Sequence, residues 1–115
     1  MQEIYRQGDV MLKRVGDALP EGVKDVTPEK NRIVLAYGEV TGHAHAFADA
    51  EVAAGKVKAF SKTGVWDPSA ERFIQVMETT ALTHEEHSPV VLDKGVYEVV
   101  QQREYSPEAI RNVAD

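Results

Sequence analysis

Cysteine is absent from the chain. That excludes thiolate zinc sites, iron–sulfur clusters and redox dithiols, so any metal here must be held by nitrogen and oxygen. Bases are also scarce, with 13 Lys and Arg against 19 Asp and Glu and a net charge of -6. General binding to a phosphate backbone needs a basic face, so nucleic acid is not expected as a partner. Lys56, Lys58 and Lys62 form a local basic stripe, but its simpler reading is a solvated strand edge that blocks aggregation. The opening Met1-Gln2-Glu3-Ile4-Tyr5-Arg6 lacks the apolar core of a signal peptide. No apolar run approaches the length of a membrane span. The expectation is a soluble, cytoplasmic protein with no membrane partner. There is no phosphate-binding glycine loop, serine elbow or cysteine nucleophile.

What is present is mainly β pattern. A length of 115 residues suits one domain, 1–115, able to bury a core without disulfides. Residues 5–15 read as a first strand, with Gly8-Asp9 as a turn or bulge near its start. Residues 17–31 hold Pro20, Gly22 and Pro28 among charges and read as a loop. Residues 32–47 read as the longest extended segment. Alternation there places Ile33, Leu35, Tyr37, Glu39, Thr41, His43 and His45 on one side, although Gly38 and Gly42 are places where a bulge would shift the parity. Further strands are read around 57–60, over 72–84, 89–92 and 96–105, with a hairpin connection at 61–71 and a turn at Asp93-Lys94-Gly95. Ser106-Pro107-Glu108 has the signature of a helix start, giving a short C-terminal helix. Several short strands separated by turn signals predict a small antiparallel β-barrel or sandwich, of cupin-like or jelly-roll-like type.

All four histidines fall into two short motifs, Gly42-His43-Ala44-His45 and Thr83-His84-Glu85-Glu86-His87. Neutral imidazole is the commonest transition-metal ligand. On a strand, His43 and His45 point the same way, about 7 Å apart at the backbone. His84 and His87 diverge on a regular strand and converge where Glu85-Glu86 forms a turn. Glu39, Glu85 and Glu86 are nearby carboxylates, suited to ligation or to orienting a histidine. The set is read as a four-histidine site for a divalent transition metal (Zn, Mn, Fe, Ni or Cu). Closed ligation would favour a structural or binding role, and an open position would favour catalysis on a small molecule. The competing reading is an accessory or assembly module whose histidines are structural or lie at an interface. Whether the chain is an enzyme is open, as are a small-molecule or protein partner and a homo-oligomer. Arg103 is expected in an ion pair, and Trp66 as a loop aromatic folded over the core.

The order Gly38, His43, His45, Glu51, Gly55 resembles the first motif of cupins, with spacings that miss the pattern by a residue or more. Pro89 and Gly95 stand where the second cupin motif has its proline and glycine, but no histidine follows. The resemblance covers the middle half of the chain. It implies a small β-barrel with one ion at its mouth, carried by His43 and His45, with Glu51 at the next position of the pattern. The strings Gly-Glu-Val-Thr-Gly-His-Ala-His, Leu-Thr-His-Glu-Glu-His and Gln102 to Tyr105 look like those of a family of small uncharacterised proteins from bacteria and their phages. That second resemblance spans nearly the whole chain and implies no activity.

Overall fold

The computed structural model describes residues 3–27, 31–38, 42–68 and 70–101. Within them lie ten strands and one short helix: β1 Ile4–Gln7, β2 Val10–Gly16, β3 Lys24–Val26, β4 Ile33–Tyr37, β5 Ala44–Phe47, α1 Asp49–Ala53, β6 Val57–Ser61, β7 Arg72–Val76, β8 Thr80–Leu82, β9 Val90–Leu92 and β10 Gly95–Gln101. Six strands form one sheet in the order β1-β2-β10-β7-β6-β3, and β4-β5 and β8-β9 form two-stranded sheets. Every pairing is antiparallel.

Alternation sorts the side chains of the large sheet onto two faces. Leu12, Val57, Ala59, Ile74, Val76, Tyr97 and Val99 point to the main core, where they meet Ile33, Leu35, Phe47, Leu82 and Leu92 of the small sheets. Phe60, Phe73 and Val96 point the other way and are covered by Leu19 and Val23. The small sheets therefore lie over one face of the large one, in a sandwich-like layering. The fold is mainly β, and among the described residues the sheets do not close into a barrel. β8 and β9, of three residues each, pair with each other and with neither edge strand of the large sheet.

Several expected elements are divided. The expected segment 32–47 holds two strands, β4 and β5, paired antiparallel with Ile33 opposite Phe47 and Tyr37 opposite Ala44. The Gly38 N–H donates to the His43 carbonyl at 2.9 Å, and Gly42 takes φ 88, a conformation that favours glycine. Residues 72–84 break into β7 and β8. The segment before β6 forms α1, which the strand reading overlooked. Residues 17–31 carry β3, paired with β6. β3 is the edge of the large sheet and covers β6 over Ala59 to Ser61, so Lys58 stands just past that pairing and is exposed. The β1–β2 hairpin matches the expected turn at Gly8-Asp9, with Gln7 opposite Val10. Trp66 packs on the main core and donates from Nε1 to the Val34 carbonyl. The predicted C-terminal helix, Arg103 and Glu39 lie outside the described residues.

Candidate metal centre

The two histidine motifs meet because of one backbone bridge. Ala46 of β5 pairs with Thr83, just past β8, with N–H to carbonyl distances of 3.0 and 2.9 Å in the two directions. In antiparallel pairing, the residue before one partner stands opposite the residue after the other. His45 is thus set opposite His84, and their ring centroids are 4.3 Å apart. The bend at residues 85–87 returns His87 to the same place, 4.6 Å from the His84 ring and 5.7 Å from that of His45. His43, in the turn before β5, has its ring 5.7 Å from that of His84. His84 is the hub of the four.

The carboxylates differ in their placement. Ligand atoms of His43, His84 and Glu85 lie within 4.8 Å of one another. Glu85 Oε1 also accepts the Ala44 N–H at 2.9 Å, which ties the second motif to β5. Glu86 Oε2 is 3.6 Å from His43 Nδ1. Glu51, by contrast, accepts from Thr80 Oγ1 at 2.7 Å and faces Lys56 Nζ at 3.5 Å. Both its oxygens are engaged on α1, and it is not among the groups gathered with the histidines.

Two residues that the sequence reading passed over belong to the cluster. Gln7 is buried, with its Oε1 at 2.8 Å from His45 Nδ1. Asp9 Oδ1 lies 3.4 Å from His45 Nε2. Glycine at position 8 makes this approach possible. Its φ is 57, and a Cβ there would come within 2.9 Å of His87 Nε2 and 3.1 Å of His45 Cε1. The signal in the sequence was the Gly8-Asp9 turn, but nothing in its pattern says what the turn lies against.

Electrostatics favour unprotonated imidazole at the centre. Burial lowers the pKa of His45 from its ordinary 6.5, and the neighbouring His84 lowers it further, while Asp9 acts in the opposite direction. The Ala44 N–H holds the Glu85 carboxyl below its ordinary 4.5. Both groups therefore bind fewer protons folded than unfolded, so stability rises with pH through their ranges. The His45 contribution is present above about pH 6.5 and is lost as the pH falls through its lower folded value. The Glu85 contribution is lost in the same sense at lower pH. The melting temperature of the chelator-treated protein is expected to hold steady above pH 7 and to fall on acidification. Thermal melts across pH 4 to 8 check this, and a rise on acidification would contradict it.

The profile of the family described as Domain of unknown function (DUF8820) matches residues 6–102. The chain belongs to this family. The match includes both histidine motifs, Gln7 and Asp9. No curated protein and no solved structure matches the chain, so the cupin and phage resemblances gain no support from these comparisons. Among the described residues, no helix is long and apolar enough to cross a membrane.

Proposed function

We propose that this protein binds a divalent transition metal through His43, His45, His84 and His87, with Glu85 as an adjoining carboxylate. The observation that supports the reading is the convergence of all four imidazoles from two distant segments around His84. Imidazole donors suit Zn, Fe, Ni and Cu better than Mn, which prefers oxygen. The role proposed is structural or binding. The ion would join β5 to the β8–β9 connection, two pieces of chain otherwise linked by the short Ala46–Thr83 bridge. The sandwich-like layering, rather than a cupin-like barrel, is the architecture proposed to carry it.

One adjustment accompanies binding. The Glu86 N–H donates to His84 Nδ1 at 3.0 Å, so in the neutral ring the proton sits on Nε2. Ligation through His84 Nε2 requires that proton to move to Nδ1, with the Glu86 bond given up. Loading is therefore expected to shift the Glu86 amide resonance.

Elemental analysis of protein purified without a histidine tag tests the reading. About one ion per chain is expected, released as the pH falls because protons compete for imidazole. His84→Ala is expected to weaken Zn²⁺ binding by about 100-fold or more, since it removes the ring nearest to all the others, while Glu51→Gln leaves binding unchanged. Equal metal retention by a variant lacking all four histidines would overturn the assignment.

A further inference from the structure

The β1–β2 hairpin ends against the histidine cluster, and its three residues there form an unusual set of contacts. The buried Gln7 side chain has one terminal atom 3.0 Å from the Leu82 carbonyl and 2.9 Å from the Ser88 carbonyl. Carbonyls only accept, so that atom must be the amide nitrogen, with one proton for each. Its other terminal atom is then the oxygen, which only accepts, and it faces His45 Nδ1 at 2.8 Å. His45 Nδ1 must therefore carry the ring proton. In the neutral ring, that leaves Nε2 with its lone pair facing the cluster.

The group opposite that lone pair is an acceptor as well. Asp9 Oδ1 stands 3.4 Å from Nε2, and Asp9 Oδ2 accepts from Gln101 Nε2 at 3.2 Å, which orients the carboxylate. Two acceptors in this position repel unless a positive charge lies between them. Two donors bound to one tetrahedral ion at about 2.0–2.2 Å each stand roughly 3.3–3.5 Å apart. The observed 3.4 Å fits two ligands of one ion, and it also fits an ion pair between a protonated His45 and Asp9; the burial of His45, which disfavours its protonated form, favours the first.

We propose that the β1–β2 hairpin is a third arm of the metal centre: Gln7 is a positioning residue that holds His45 in its Nδ1–H form, and Asp9 supplies a carboxylate oxygen to the ion that His45 Nε2 binds. Gly8 admits both by leaving room for the His87 and His45 rings. The inference about Asp9 rests on the metal reading above. That about Gln7 does not, because the tautomer is fixed in the metal-free protein.

Nitrogen NMR of the histidine rings in the chelator-treated, full-length protein at about pH 8 decides the first part. His45 is expected with the proton on Nδ1 and a bare Nε2, and Gln7→Met is expected to admit the Nε2–H form. His45 protonated on Nε2 in the parent protein would overturn the role of Gln7, and this needs no variant to fold. Zn²⁺ titration by calorimetry decides the second part. Asp9→Asn, on an exposed hairpin tip, is expected to weaken binding about 10- to 100-fold, in the range of supporting groups at metal sites. The control Asp25→Asn on β3 is expected to bind as the parent does. Binding unchanged in Asp9→Asn overturns the role of Asp9. A parent protein that takes up no Zn²⁺ overturns both the role of Asp9 and the metal reading, while the ring NMR still decides Gln7.

Discussion

Chelation is expected to lower the melting temperature of the metal-loaded protein by about 15 °C. With free metal at a thousand times Kd, binding stabilises the folded state by about 4 kcal/mol, and each kcal/mol shifts the midpoint of a domain this size by roughly 4 °C. The expectation is large because of what the cluster connects. His45 and His84 extend the single bridge between Ala46 and Thr83, and β8 and β9 pair over three residues. A two-stranded ribbon of that length is marginal without further support. An ion shared between the ribbons would supply it, and its binding energy would then be folding energy. Differential scanning fluorimetry with chelator and with added Zn²⁺ measures the difference. A protein that keeps its melting temperature on chelation but loses a ligand or a turnover would reverse the assignment, from clamp to catalytic or binding ion.

Phe47→Ala is expected to destabilise the protein by about 3–5 kcal/mol, the range for removing a fully buried aromatic side chain. Phe47 is 0% exposed and joins the main core from β5, opposite Ile33. It shares a strand face with His45, two residues away, so the cavity left behind would also loosen the histidine from the strand that aims it. A loss of that size is a large part of the 5–15 kcal/mol that typically separates folded from unfolded chains. Val91→Ala, at a side chain 57% exposed, is expected to change stability by no more than about 0.5 kcal/mol. Urea unfolding of the two variants measures the contrast. Equal effects would mean that β5 does not carry the core as described.

Local signals were legible where they depend on neighbours in the chain. The Gly8-Asp9 turn, the 61–71 connection and the reversal before β10 all follow from turn chemistry that a few residues carry. The β-forming runs of β7 and β10 were equally plain. Strand ends were not, because continuous β-forming residues do not show where pairing stops. The run from 32 to 47 looks extended throughout, yet its two ends, β4 and β5, pair antiparallel with each other. The residues of α1, Asp49 to Ala53, are too few for a helical period to stand out.

The sequence by itself determined the chemistry available. Without cysteine it allowed only nitrogen and oxygen donors, and it concentrated all its imidazoles in two motifs with acids beside the second. It also determined that His84 and His87 converge only if Glu85-Glu86 bends, a condition set by the spacing. The tertiary structure decided that the two motifs meet, because the Ala46–Thr83 bridge joins residues 37 positions apart and no local pattern encodes that pairing. It decided that Glu85, not Glu51, stands among the rings, since Thr80 and Lys56 hold Glu51 elsewhere. It also decided that Gln7 and Asp9 lie against His45. A glutamine and an aspartate flanking a turn glycine are unremarkable along the chain; they acquire a role only because the first hairpin closes against histidines from the middle and end of the fold.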